Sequence, residues 1–290
     1  MTTGKVTVRT IRALKKRGQK SVWLTAYDYP TALLIDQAGI DGILVGDSLG
    51  MVVQGHSTTL PVTLDEIIYH CRMVSRGSAK AMVVGDMPFG SFQGSTDAAI
   101  ENAIRLVKEG NCEAVKFEGA GRNLELMERL VNAGIPVMAH LGLLPQSIHA
   151  IGGFKVQGKV ARAAEQLLLD AKRVESAGAF SLVLECIPQE VAKMITAELE
   201  IPTIGIGAGK DCDGQILVFH DVMDLLPGYQ PRFVRKYAHL GNEVVNAAKR
   251  YIEDVRSGEY PSNDESFSMK DHDLKKMFES PGLDDPEDAA

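Results

Sequence analysis

Several apolar runs in this 290-residue sequence lead directly into ionisable side chains. Val45 is followed by Gly46, Asp47 and Ser48; Val84 by Gly85 and Asp86; Ala139 by His140; and Leu184 by Glu185, while Ala114-Val115 runs into Lys116, Phe117 and Glu118. Any one of these has a bland reading, because Asp or Ser after a strand commonly caps the next helix. Their succession is what points to chemistry. If they meet, Asp47, Asp86 and Glu118 repel one another unless a cation sits among them. Hard oxygen donors without paired His or Cys favour Mg2+ over zinc. Lys116 and Glu118 are two apart, so they share one side of a strand, and Lys116 can reach a substrate carboxylate. A 2-oxo acid chelates Mg2+ through its carboxylate and keto oxygens, and the metal then stabilises an enolate. Glu185, from a different run, is the candidate base for the adjacent C–H. The residues alone therefore indicate metal-assisted enolisation, with substrate and electrophile open. A metal-free salt-bridge network is the structural alternative, disfavoured by the cost of burying so many charges.

These residues need a scaffold that gathers distant strand ends. Runs rich in Val, Ile and Leu recur at 22–26, 43–45, 82–84, 114–117, 136–139, 181–184, 202–206 and 216–219. Helical spacing fills 31–38, 64–75, 96–108, 124–132, 161–176 and 190–199, and Gly39, Gly77, Gly110, Gly134 and Gly178 follow as C-cap signals. Alternating strand and helix predicts an α/β fold with a parallel sheet, and this number of units matches a (β/α)8 TIM barrel. In such a barrel all strand C-termini surround one mouth. An open nucleotide-binding sheet fits less well: the glycine-rich turn Gly205-Ile-Gly-Ala-Gly209 comes on the seventh run and is neither GxGxxG nor a P-loop. The last two runs lie too close for a crossover helix. The long stretch 144–154 is a candidate substrate loop, and 231–238 and 242–257 are expected to supply closing helices.

Composition excludes several classes. Hydrophobic residues make up 45% and charged residues 24%, close to the globular average. The net charge is −7, but residues 261–290 hold nine acids against three lysines, a balance of −6. The body is then near neutral and has no basic excess to attract nucleic acid. The expected organisation is a catalytic barrel over 1–261, including a short basic N-terminal helix, and an acidic, flexible C-terminal tail over 262–290. No run is apolar enough for a membrane span. Cys71, Cys112, Cys186 and Cys212 show no CxxC spacing, which points to a reducing, cytoplasmic setting. His56, His149 and His220 are read as structural.

Longer motifs on the same residues resemble the signature of the ketopantoate hydroxymethyltransferase family. They are Val45-Gly-Asp-Ser-Leu-Gly-Met-Val-Val-Gln-Gly-His56, Thr58-Thr-Leu-Pro-Val-Thr63, Gly85-Asp-Met-Pro-Phe-Gly90, Lys116-Phe-Glu118, His140-Leu-Gly-Leu-Leu-Pro-Gln-Ser147, Gly152-Gly-Phe-Lys-Val-Gln-Gly158 and Gly205-Ile-Gly-Ala-Gly209. The resemblance runs from about Val6 to Pro261. It implies a (β/α)8 barrel, Mg2+, and transfer of a hydroxymethyl group from 5,10-methylenetetrahydrofolate to 3-methyl-2-oxobutanoate, the first step of pantothenate biosynthesis. By position, it implies Asp47 and Asp86 as direct metal ligands and Glu118 as a metal-site ligand, directly or through water. Asp47, Ser48, Asp86 and Lys116 become the oxo-acid set, His140 an orienting or binding residue, and Glu185 the proton acceptor. It also implies a homodecamer. Two departures stand out: the extension 262–290, and a missing glycine in Asp221-Val-Met-Asp-Leu225. The competing enzyme class is an Mg2+-dependent carbon–carbon lyase or mutase of the phosphoenolpyruvate/isocitrate type. The lyases of that class carry a K-[KR]-C-G-H loop, which is missing from this sequence.

Overall fold

A computed structural model describes residues 4–226, 228 and 231–279, which fall into two compact units dividing between Ala238 and His239. The first unit holds β1 (Ser21–Thr25), β2 (Gly42–Val45), β3 (Met82–Asp86), β4 (Ala114–Glu118), β5 (Val137–Gly142), β6 (Ser181–Glu185), β7 (Thr203–Ile206) and β8 (Gly214–Leu217). Each strand pairs in parallel with the next, and β8 closes on β1. Its helices are α1 (Val8–Lys16), α2 (Tyr29–Gln37), α3 (Leu49–Val52), α4 (Leu64–Gly77), α5 (Thr96–Gly110), α6 (Asn123–Asn132), α7 (Ile148–Ile151), α8 (Ala161–Ser176), α9 (Gln189–Glu198) and α10 (Phe219–Val222). The arrangement is the expected (β/α)8 barrel. Among the described residues, no helix is long and apolar enough to cross a membrane.

Two apolar layers hold the barrel. An inner plug contains Trp23, Leu44, Met82, Val84, Ala114, Met138, Val183, Ile204 and Ile216, and Ile11 of α1 joins it. An outer layer packs the helices on the strands. The basic helix α1 is tied to strand beginnings. Lys15 Nζ donates to the Ile201 carbonyl at 3.2 Å and pairs with Asp213 at 2.9 Å, while Arg12 reaches the Ala179 carbonyl at 3.3 Å. These are the loops entering β7, β8 and β6, so α1 closes the barrel end opposite the mouth.

Local chemistry departs from the sequence reading in a few places. Gly77 is the last residue of α4 and precedes the cap Ser78. It is needed for close packing, since a Cβ there would lie 2.6 Å from the Tyr29 carbonyl oxygen of α2. After α5 the left-handed position is taken by Asn111, not by Gly110. Residues 231–238 form turns instead of a helix. Near the missing glycine, Asp224 itself adopts φ +52° and pairs with Lys236 at 2.6 Å. The short helix α3 after β2 lies outside the expected helical spans. As expected, β7 and β8 are joined without a helix, and a long segment separates β5 from β6.

The second unit contains α11 (Leu240–Ser257) and α12 (Asp271–Glu279), with a 3-10 turn at Asn263–Glu265 between them. The acidic tail expected over 262–290 thus includes α12, and its last part, 280–290, lies outside the described residues.

Candidate active site

Alternation along the strands explains where the ionisable groups stand. Met82 and Val84 of β3, Ala114 of β4, Met138 of β5 and Val183 of β6 belong to the plug. Two residues further along each face come Asp86, Lys116, His140 and Glu185, with Glu118 two beyond Lys116. The polar groups therefore crown the plug at the C-terminal mouth. Register sets the neighbours: Asp86 lies beside Lys116, Glu118 beside His140, and Glu185 beside Gly142.

The side chains meet. Lys116 Nζ donates to Asp86 Oδ1 at 2.8 Å and to Oδ2 at 2.9 Å. The Asp47 backbone N–H donates to Asp86 Oδ2 at 3.3 Å. His140 Nε2 lies 3.2 Å from Glu185 Oε2, and Nδ1 lies 3.8 Å from Glu118 Oε1. Neither ring nitrogen has a well-aligned hydrogen bond, although His140 is buried. Ser48 Oγ bonds the Tyr27 hydroxyl at 2.8 Å. Gly46 makes room: a Cβ there would stand 3.2 Å from Ser48 Oγ and 3.5 Å from Asp86 Oδ2. Every site residue read from the sequence thus comes to the same mouth.

Two further residues belong to the cluster. Gln146, in the long loop after β5, is buried and donates from Nε2 to Asp47 Oδ2 at 2.9 Å. Its backbone N–H donates to Glu118 Oε2 at 3.2 Å. Tyr27 is buried beneath Ser48, and burial raises its phenol well above the usual range. Neither carries a signal by type, since an amide and a tyrosine in loops are common. Only the fold reveals their partners. His56 and His149 are exposed, and His220 of α10 is half-buried with its ring 5.6 Å from that of Tyr27.

The family model for ketopantoate hydroxymethyltransferase matches residues 5–263. The chain belongs to the ketopantoate hydroxymethyltransferase family. It is 52% identical to the 3-methyl-2-oxobutanoate hydroxymethyltransferase of Clostridium novyi, over 94% of this chain and 100% of that one. The Enterococcus faecalis protein of the same name is 51% identical, with the same coverage of each chain. Ketopantoate hydroxymethyltransferases are enzymes of the transferase class. Among solved structures, 2,3-dimethylmalate lyase, a PEP mutase/isocitrate lyase superfamily member, aligns with TM-score 0.58 at 17% identity over 98% of both chains. Phosphonopyruvate hydrolase, solved with oxalate and Mg2+, aligns with TM-score 0.57 at 12% identity, over 94% of this chain and 95% of that one. At those identities the shared property is the barrel.

For a ketopantoate hydroxymethyltransferase the electrostatics of this mouth are informative. Burial, and then the charge of Asp86, push the Asp47 carboxyl up to about 7. Burial also lifts Glu118 well above the carboxylate range. Burial works against the Lys116 ammonium, yet the charges of Asp86, Glu118 and Asp47 outweigh it and hold the group protonated. Burial and the Lys116 charge lower His140, which keeps the imidazole neutral. Ionising Asp47, Asp86 and Glu118 together beside Lys116 would set three negative charges against one positive, an excess of two. A divalent cation would balance it. Among the described residues no three His, Cys, Asp or Glu side chains form a ready-made cage. The donors that Asp47, Asp86 and Glu118 offer are carboxylate oxygens, the class of ligand Mg2+ takes.

Proposed function

We propose that this chain transfers a hydroxymethyl group from 5,10-methylenetetrahydrofolate to 3-methyl-2-oxobutanoate, giving 2-dehydropantoate, with Mg2+ at the mouth of the barrel. The observation that carries the reading is the crown of buried Asp47, Asp86, Lys116, Glu118 and His140, with half-buried Glu185, above an apolar plug. Family membership supplies the substrate and the one-carbon donor. Asp47 and Asp86 would hold the ion, with Glu118 as a further metal-site ligand, directly or through water. When bound, the ion draws electron density from the keto carbonyl and acidifies the adjacent C3–H. Lys116 and Ser48 face the oxo-acid carboxylate. His140, neutral and with unsatisfied ring nitrogens, orients the oxo acid and Glu185. Glu185 accepts the C3 proton. C3 then bonds to the folate-borne carbon as the first of its two C–N bonds breaks. Water displaces the second nitrogen and leaves its oxygen as the hydroxyl. The proton held by Glu185 and one from that water pass to the two nitrogens of the departing tetrahydrofolate. Removal of water by the buried walls strengthens each of these contacts. The family reading extends to a cytoplasmic homodecamer, which sedimentation of the purified chain would check.

The test is turnover of 3-methyl-2-oxobutanoate with methylenetetrahydrofolate, with and without EDTA, alongside C3 hydrogen exchange in deuterated buffer. Turnover should stop in EDTA and return with Mg2+. Glu185→Gln should slow exchange by about 10²–10⁴-fold while oxo-acid binding persists. Undiminished exchange in that variant would reject Glu185 as the base.

A further inference from the structure

Gln146 is 4% exposed, yet its amide is fully engaged. Nε2 donates to Asp47 Oδ2 at 2.9 Å and to the Met87 carbonyl at 3.0 Å. Oε1 accepts from Gln93 Nε2 at 3.1 Å. The direction of these bonds is fixed by their ends. A carboxylate and a backbone carbonyl only accept, so the NH2 of Gln146 must face them. Its oxygen then faces Gln93. Gln93 in turn uses its own oxygen to accept from the Gly90 N–H at 2.7 Å, which leaves its NH2 for Gln146. One polarity runs from the Gly90 backbone through two amides to Asp47, and reversing either amide would set donor against donor.

This relay joins three loops that follow different strands: Gln93 after β3, Gln146 after β5, and Asp47 after β2. It engages Asp47 Oδ2 and so restrains the carboxylate from the side of the β5 loop. We propose that Gln146 is a positioning residue for Asp47 as a metal ligand, and that Gln93 sets the orientation of Gln146. The assignment rests on the metal reading above and deepens it. Groups that hold a ligand from behind commonly change metal affinity by about 10–100-fold when removed.

The experiment titrates Mg2+ calorimetrically into the full chain at saturating 3-methyl-2-oxobutanoate. It compares the unaltered protein with Gln146→Met and Gln93→Met. Gln146→Met keeps length and the backbone bond to Glu118 but removes the donors. Its dissociation constant for Mg2+ should rise about tenfold or more, with far-ultraviolet circular dichroism unchanged. Gln93→Met touches no carboxylate and should weaken binding by about threefold to tenfold. A Gln146→Met constant within about twofold of the unaltered protein would overturn the assignment. If that variant does not fold, unchanged affinity in Gln93→Met overturns it instead. No Mg2+ uptake by the unaltered chain would refute the metal reading itself, and this assignment with it.

Discussion

Asp47→Asn should make the metal-free protein more stable at pH 8 while destroying its response to Mg2+. In the folded state burial and the Asp86 charge lift this carboxyl from 3.8 to about 7. A group raised in this way favours the folded state when protonated. That contribution is complete below the unfolded value and is lost as pH rises toward the folded one. The Asp47 share of metal-free stability should therefore fall between pH 4 and 7 and level off above. At about 1.4 kcal/mol per pH unit, the lift corresponds to about 4 kcal/mol once Asp47 is ionised. The introduced amide carries no charge, and its oxygen still accepts from Gln146 Nε2, so the substitution removes the repulsion and keeps the hydrogen bond. Allowing for the charge still on Asp86, a gain of about 2–4 kcal/mol is expected, or about 4 °C or more in thermal midpoint for a unit of this size. Scanning calorimetry in EDTA from pH 5 to 8.5 should show the variant's midpoint climbing above that of the unaltered chain as pH rises, since the other titrating groups are common to both. Added Mg2+ should raise the midpoint of the unaltered chain and not that of the variant. A variant equally or less stable at pH 8 would refute the electrostatic reasoning.

Three further outcomes follow from the same geometry. Lys116→Met leaves Asp86 buried without its partner, both side chains being at most 5% exposed. It should cost about 3–5 kcal/mol and abolish turnover, and borohydride with substrate should trap no adduct on Lys116 in the unaltered enzyme. Burial and Lys116 hold His140 below its usual 6.5, so its own share of stability should be lost as pH falls through that value and below, opposing the Asp47 share. His140→Gln should flatten this limb in acid titrations followed by circular dichroism. Gly142 has φ +99°, and a Cβ there would collide with the Glu185 carbonyl oxygen. Gly142→Ala should therefore cost about 1–3 kcal/mol from the backbone alone and reduce C3 exchange by moving the end of β6, measurable by calorimetry and deuterium incorporation.

The barrel and most of the crown are legible in the sequence because their signals are local. Strand runs such as 181–184 are short, apolar and closed by a polar residue, and the spacing over Ala161–Ser176 matches the observed helix to the residue. Asp86, Lys116, Glu118, His140 and Glu185 can be placed because each lies within its run or at most two residues beyond its end. What escapes depends on contacts between segments far apart in the chain. Gln146 meets Asp47 only after β5 and β2 are in place. Gly77 looks like a cap by type, yet it serves packing against Tyr29. Residues 231–238 have helical composition but form turns, beginning at Pro231, which lacks a backbone donor.

The register of the strands carries a consequence for partial chains. Asp47 and Glu185 stand at opposite ends of an arc whose members are separated by whole crossover helices. No proteolytic fragment lacking one of those strands keeps the arc continuous, and an unclosed sheet would leave Asp86 and Lys116 solvated instead of buried. Competence should appear in a single all-or-none step with ring closure, so truncated forms would be silent proteins, not slow enzymes.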